Sequence, residues 1–481
     1  MANKNELQFG IWNVGGTDSK LHGILNLKYE ISEYELELYS DEPISLPYNT
    51  DVVYGKTYQG KAFTLYKCSI QGGRSTSIIH DYKSKFINKV NCSYILEGEI
   101  FTSEKEIMVK EVYFSVTNLN KWSFQSAVNM KLDDDSMEYV ITTKNIDDIT
   151  HENDEFEFTI RYFTMPDYNY TFSSSLKIET HTQLIFKFSN PTNLNRAHSL
   201  IYQVRDFLSL CTGSRTYIKY VSANPYFSEP KDFAPRIQIF GQAFEFENKE
   251  EIDNLKRYEP YISLEQIKED FNLCMKNWFE KNEKLKPVIE LYLSLNYHRT
   301  SYERHFLNIV QALEAYHRLT RKNQVLPKEE HSKKMEGIVK HVPEKYQKWV
   351  KEKLAFSNEP SLHERLEELL TPTSKSELPQ HEGKYHHLFR LRDKEKIEII
   401  RDIKNTRNYN THFDERLLKK SVKGEELYQL IALLKLMMEF YLLTELEIDE
   451  EIIIDLTWEK SKQLSIRNSI LESTRDSNIT F

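Results

Sequence analysis

From Leu7 to about Phe240 apolar side chains recur at every second position. Leu25, Leu27, Tyr29 and Ile31 alternate with polar residues, and Tyr34, Leu36 and Leu38 then alternate in the opposite phase. The pattern returns at Phe156, Phe158, Ile160 and Tyr162, at Leu176 and Ile178, and at Leu184, Phe186 and Phe188. Alternation rich in aromatic and β-branched residues predicts strands with one buried face. The phase change at Ser32 and Glu33 predicts a turn or bulge, because a shift of one residue exchanges the two faces of a strand. Many short strands without helices between them predict an antiparallel sandwich or barrel. One helix interrupts this half, with Leu200, Val204, Phe207, Leu208 and Cys211 on one face, Asn195 as its cap and Gly213 at its end.

Residues 245–262 are charged and poor in apolar side chains, and read as a linker between residues 1–244 and 263–481. Beyond it the period becomes helical. Helices are expected near Leu264–Glu280, Lys286–Leu295, Tyr302–Arg321, Pro343–Phe356, Leu362–Leu370, Lys384–Tyr409 and Glu425–Leu446. The fold class is therefore α+β, a β-rich sandwich or barrel followed by an all-α bundle. Leu427–Leu446 is apolar enough to resemble a membrane span, but Lys435 and Glu439 in its middle favour a buried helix. No membrane association is expected.

Length and charge narrow the possibilities. A chain of 481 residues exceeds what one core usually fills. The net charge of −9 gives no general affinity for polyanions, so a nucleic-acid site would have to be a local basic patch. The four cysteines show no C-x-x-C spacing, which points to a reducing compartment and away from a thiolate metal site. The amino terminus carries no signal-peptide pattern, and a cytoplasmic location is expected.

Three patterns look chemical. Gly55 to Ala62 nearly spells a P-loop, but Ala62 stands where a hydroxyl would hold magnesium, and Phe63–Cys68 reads as a strand where a helix is required. A hairpin turn is the expected structure. The histidines offer His386 and His387 as their densest pair, yet adjacent helical residues point about 100° apart and cannot jointly chelate. Neither a metal nor another cofactor is expected.

The third pattern is Arg407-Asn408-Tyr409-Asn410-Thr411-His412. An Arg followed closely by His also occurs at Arg74 and His80 and at Arg299 and His305, in a predicted loop and at a helix entrance. Arg407 instead continues an apolar stripe through Ile400 and Ile403, where another apolar side chain would ordinarily stand. Such a local inconsistency marks functional sites. An Arg paired with Glu314 or Asp414 for structural reasons would give the same pattern.

Arg-Asn-x-x-x-His late in a helical domain resembles the HEPN superfamily of ribonucleases, toxins and antiviral effectors. Gln311, Ala312 and Glu314 resemble the Gln-Ala-x-Glu signature of its ApeA branch. Gly55, Gly60-Lys61, Thr64-Leu65, Tyr94–Gly98 and Leu119 to Trp122 are similar to the ApeA amino-terminal domain. The resemblance implies an anti-phage endoribonuclease acting by abortive infection, whose amino-terminal domain senses a phage-derived trigger. It implies Arg407, Asn408 and His412 as catalytic residues, Glu314 as a supporting one, and a homodimer or higher homo-oligomer with both motifs lining one cleft. Geometry agrees with two chains, since residues five apart on a helix diverge by about 140°. RNA carries its own nucleophile in the 2′-OH, so His412 would serve as general acid or base and Arg407 would stabilise the transition state without a metal. Arg318–Lys322 and Lys345–Lys353, the latter interleaved with Tyr346 and Trp349, are candidates for backbone contact. A non-catalytic module binding RNA or protein is the alternative, and a carbohydrate-binding enzyme built on the β half ranks last.

Overall fold

The computed structural model describes residues 5–29, 33–76, 85–133, 138–167, 177–229, 235–244, 261–372, 389 and 391–462. The chain divides into two compact units, Met1–Lys268 and Glu269–Phe481. The short helix Leu264–Ile267 thus groups with the first unit, and the linker segment 245–260 lies outside the described residues.

In the first unit, β1 (Asn5–Val14), β2 (Lys20–Lys28), β3 (Glu33–Ser40), β4 (Asn49–Thr57), β5 (Ala62–Thr76) and β6 (Lys85–Glu97) pair antiparallel in the order β6-β3-β2-β1-β4-β5. β5 then pairs with β6, which closes the ring into a six-stranded barrel. The two opposed alternations in the sequence are the strands of one hairpin. Leu25 lies opposite Leu36 and Leu27 opposite Tyr34, and all four side chains are buried in the barrel. The turn between them lies outside the described residues.

Trp12 fills the barrel interior and is fully buried. Its indole lies over two glycines. A Cβ on Gly55 would stand 2.8 Å from the Trp12 ring and 2.3 Å from the Ile11 carbonyl, and one on Gly23 would stand 2.8 Å from the ring's other edge. The P-loop lookalike is the β4–β5 turn, closed by Thr57 N–H to Lys61 O at 2.9 Å, with Gly60 at φ +86° as such a turn demands. Gly55 and Gly60 therefore have packing and turn reasons to be glycine.

Beyond β6 the sheet opens into a wing through β14 (Ile237–Phe240), β13 (Ile218–Pro225), β7 (Met108–Val116), β12 (Lys177–Asn193), β11 (Phe156–Asp167) and β10 (Ile149–Glu152). The short helix α1 (Leu119–Trp122) and a separate hairpin of β8 (Val128–Asp133) and β9 (Glu138–Thr143) follow β7 in the chain. Phe114, Phe156 and Phe158 gather around Phe186, with ring centroids 4.9 to 5.7 Å away. The helix α2 (Leu194–Thr212) packs on β7 and β12 through the apolar face expected of it. Its cap is Asn193, whose side chain accepts from Arg196 N–H, rather than Asn195. Strand β12 runs directly into the helix, so the last extended residue takes the capping position, and Asn195 instead accepts from Lys67 at 2.8 Å. Gly213 ends the helix in the left-handed conformation.

His198 on α2 is enclosed by Tyr202 and Phe244, with ring centroids 4.4 and 5.0 Å away, and bonds the Tyr94 hydroxyl through Nδ1. Burial, helped by the nearby Arg205 and Lys67, pushes its pKa down from 6.5 to about 4. The folded state therefore holds a neutral ring where the unfolded chain would take a proton, and that contribution to stability is full above pH 6.5 and is lost as pH falls toward 4. The denaturation midpoint of this unit should fall between pH 6.5 and 5, before most carboxylates titrate, and His198→Phe should flatten the fall. An unchanged pH profile in that variant would remove His198 as its cause.

All four cysteines are free and buried. Cys68 and Cys92 are opposed on β5 and β6 inside the barrel, and burial raises the Cys68 thiol to about 12.

The second unit contains α4 (Phe271–Tyr297), α5 (Tyr302–Thr320), α6 (Lys328–Lys340), α7 (Glu344–Lys353), α8 (Leu362–Leu369), α9 (Asp393–His412), α10 (Gly424–Glu445) and helical residues 450–462. One 27-residue helix, α4, replaces the two expected around Leu264–Glu280 and Lys286–Leu295. It runs through Pro287, which is exposed, while Leu285, Val288, Ile289 and Tyr292 stay buried on both sides of it. Packing of that face outweighs the missing hydrogen bond. Helix α6 gives little helical signal, since its apolar side chains are confined to Met335, Ile338 and Val339 in its second half, and none of its side chains is buried. The start of the helix expected at Lys384 lies outside the described residues, and the described helix begins at Asp393.

Helix α10 is long and apolar enough to cross a membrane by composition, with a mean hydropathy of 1.4, yet 61% of that window is buried inside the protein. It packs on α5 and α4. Its buried Glu439 accepts from Tyr292 and Lys460, both at 2.9 Å. Burial works to raise that carboxyl, but Lys460, Lys435 and Tyr292 hold it below the usual carboxylate range. The charged pair in the apolar run is thus an internal polar anchor.

Candidate active site

Helix α9 opens with the Glu395 side chain accepting from Arg392 N–H at 2.8 Å and ends at His412. Ile400, Ile403 and Thr406 are buried along one side, and Arg407 follows them half-buried. Thr406 Oγ1 accepts from Val422 N–H at 2.9 Å, which ties the following loop back onto the helix.

The Arg407 guanidinium lies 3.9 Å from Glu314 on α5 and donates to Asn408 Oδ1 at 3.3 Å. Glu314 is the carboxylate that faces it, because Asp414 is engaged by Arg416 at 2.7 Å. An ion pair this long, with both side chains about one-third exposed, contributes at most about 1 kcal/mol. Arg407 is therefore held in place weakly and can exchange its partner for a phosphate at little cost. His412 occupies the exposed end of the helix and has no hydrogen-bond or ion-pair partner among the described residues. One chain thus brings together Arg407, Asn408 and Glu314, while His412 follows Asn408 by one helical turn and bonds none of them. Of the signature on α5, Gln311 is exposed, Ala312 buried and Glu314 half-buried.

The other Arg/His pairs look different. Arg299 precedes α5, and His305 bonds the His298 carbonyl at 3.0 Å. His80, His386, His387 and the Arg74 side chain lie outside the described residues. Among the described residues no three His, Cys, Asp or Glu side chains gather as a metal site would require.

A second polar cluster on α5 escaped sequence reasoning. His317 and Arg365 are almost fully buried. Arg365 donates to His317 Nδ1 at 3.0 Å, and since a guanidinium only donates, the ring proton sits on Nε2 and goes to Glu368 at 2.8 Å. Arg365 also bonds Asn323 at 2.6 Å and the Pro360 carbonyl at 3.0 Å, so the cluster joins α8 to α5. The signal available was a cation beside Leu362, Leu366 and Leu369 on an apolar stripe, the same kind of break that marks Arg407.

The basic stretches divide accordingly. Arg318 pairs with Glu359 at 2.6 Å, and Arg321 pairs with Glu368 and lies over the Tyr316 and Tyr441 rings, so both cations serve the fold. Helix α7 buries nothing, and its Tyr346 and Trp349 are exposed. A cavity of about 500 Å³ lies in the first unit, lined by Lys56, Lys61, Glu97 and Glu99 among others, with Lys61 already paired to Glu97 at 3.0 Å.

Residues 9–278 match the family model of ApeA N-terminal domain 1, and residues 307–452 match that of the Apea-like HEPN domain. The chain belongs to the ApeA family. Its two domains suggest anti-phage defence by a HEPN nuclease, and its HEPN domain suggests RNase activity in general terms. In this ApeA protein Glu314, Arg407, Asn408 and His412 all fall inside the matched HEPN segment. No curated protein and no solved structure gives a match.

Proposed function

We propose that this ApeA-family chain is a metal-independent endoribonuclease that acts in the cytoplasm as a homodimer and causes abortive infection. Its β unit would sense a phage-derived trigger and restrain the nuclease. The reading is carried by a weakly held Arg407, its neighbour Asn408 and an unpartnered His412, set together on one helix of a HEPN domain.

The chemistry follows from what these groups can do. His412 of one protomer removes the proton from a ribose 2′-OH as its oxygen attacks the adjacent phosphorus. The bond from phosphorus to the 5′ oxygen breaks, and the same residue of the partner, protonated, gives that oxygen a proton. Arg407 neutralises charge on the non-bridging oxygens through its fork of donors. Asn408 orients Arg407. The products are a 2′,3′-cyclic phosphate and a 5′-OH. A second chain is invoked because Arg407 and His412, five residues apart on one helix, diverge by about 140° and do not face one phosphate together. Most of the apolar stretch of helix α10 is already buried on α5 and α4, so its apolarity does not by itself point to a dimer contact.

Triggered protein in the presence of a chelator should cut RNA to those ends and leave DNA of the same sequence intact. A strand with a single ribonucleotide should be cut only there. Cleavage of all-DNA strands, loss of activity with the chelator, or 3′-OH products would each end this reading. If wild type and the Arg407→Ala/His412→Ala variant leave RNA equally uncut, the chain is a binding module.

A further inference from the structure

Helix α9 ends in an unusual way. Its C-cap is Phe413, at φ 53° and ψ 35° in the left-handed region. That position usually belongs to glycine, because any Cβ there is strained. A phenylalanine in it adds an apolar side chain that is 73% exposed, so neither the turn nor the described packing accounts for the residue. Its backbone is well fixed, with Phe413 N–H donating to Tyr409 O at 2.7 Å. The ring stands edge-on to Tyr409 at 6.2 Å and 70°, and Lys423 Nζ lies 5.6 Å from the centre of the Tyr409 ring.

The loop that follows it, up to Lys423, is mostly basic. Between Phe413 and Lys423 come Arg416, Lys419, Lys420 and Lys423, all exposed, against Asp414 and Glu415. Arg416 neutralises Asp414 at 2.7 Å. Glu425 and Glu426 follow, in the first turn of α10, where the helix end favours them. An exposed aromatic face directly after His412, with exposed lysines on the loop that follows it, is the combination that binds a nucleobase and its flanking phosphates together.

We infer that Phe413 is a stacking platform for a nucleobase beside the scissile phosphate, so that the substrate is an unpaired RNA strand. The inference rests on the nuclease reading for the word scissile, but the stacking itself does not depend on cleavage. A-form duplex RNA keeps its base faces covered by neighbours, so only a splayed, unpaired base can reach the ring. Because the ring is attached directly after His412, stacking would place the neighbouring ribose near the imidazole. Sequence preference would be weak, since every base offers a π face.

The test uses the full chain carrying His412→Ala, so that bound RNA stays intact, and a short unpaired oligonucleotide containing 2-aminopurine. Adding Phe413→Ala should weaken binding about 5- to 150-fold, the range one stacked base supplies. It should also abolish the fluorescence quenching that stacking produces. Phe413→Trp should keep both, Phe413→Leu should keep neither, and duplex RNA should bind weakly whichever residue is present. Phe413→Gly should raise the melting temperature by relieving the backbone while weakening RNA binding, and a residue with only a structural role would not move the two in opposite directions. Unchanged affinity in Phe413→Ala overturns the inference, as does full binding by Phe413→Leu. A change of oligomeric state in Phe413→Ala by light scattering also overturns it, since the ring would then be a contact between copies. If the triggered protein with His412 restored leaves RNA uncut while quenching still depends on Phe413, the nuclease reading fails and the stacking stands. If it cuts RNA and Phe413→Ala cuts with the same KM, the stacking alone fails.

Discussion

Replacing His412 by alanine should lower RNA cleavage by at least about 10²- to 10⁴-fold, the range that one positioned acid–base group supplies, because the variant homodimer loses both the base and the acid. Arg407→Ala should lose about 10²- to 10³-fold through the missing stabilisation of transition-state charge. The double variant should be little worse than His412→Ala, because groups that act in one step do not contribute additively. Folding should be undisturbed in both, since His412 is exposed and Arg407 gives up only a 3.9 Å ion pair with Glu314. Mixing the two inactive proteins separates a shared site from a one-chain site. Where two motifs line one cleft, a mixed dimer keeps one Arg407 and one His412; it lacks the second histidine, so only the part of the activity that one acid–base group supplies should return on subunit exchange. A mixture that stays as inactive as its components would mean that each chain works alone.

The second large effect belongs to the barrel. Trp12→Ala should destabilise the first unit by about 3–5 kcal/mol, as removal of a fully buried indole does. Gly55→Ala should act in the opposite sense sterically and still destabilise, since its Cβ would meet the Ile11 carbonyl at 2.3 Å as well as the indole. Amide hydrogen exchange on the full chain is the measurement, because it reads each unit separately. Exchange should accelerate across β1–β6 and stay unchanged in α5. A loss below about 1 kcal/mol for Trp12→Ala would mean that the indole does not organise the barrel.

The change from period two to helical period placed both halves of this molecule, because burial of one face is a local property of each segment. Closure of the barrel was not legible. It depends on β6 pairing with both β5 and β3, and alternation says which face is buried without saying which strand lies alongside. Pro287 misled for a related reason, since its helix is maintained by buried neighbours such as Val288 and Tyr292 rather than by local propensity. At the site, Arg407 was visible as a cation on an apolar stripe with Glu314 or Asp414 as its partner, and which of the two faces it depended on packing between helices. His317 and Arg365 were missed because their bonds join positions 48 residues apart. Phe413 could not be read at all, because its interest lies in a backbone angle that no residue pattern encodes.

Strand β6 has one further consequence, for the order of events as the chain leaves the ribosome. One of its edges is occupied by β5, while the other is divided between β3 at Phe86–Val90 and β14 at Ile95–Glu97. Every strand of the barrel is complete by residue 97, so the ring can close early in synthesis. The remaining edge at Ile95–Glu97 must then wait for Ile237–Phe240, some 140 residues later. A nascent chain halted before residue 237 would carry a finished barrel with an open strand edge, and that edge is where a chaperone or a second nascent chain would add a strand.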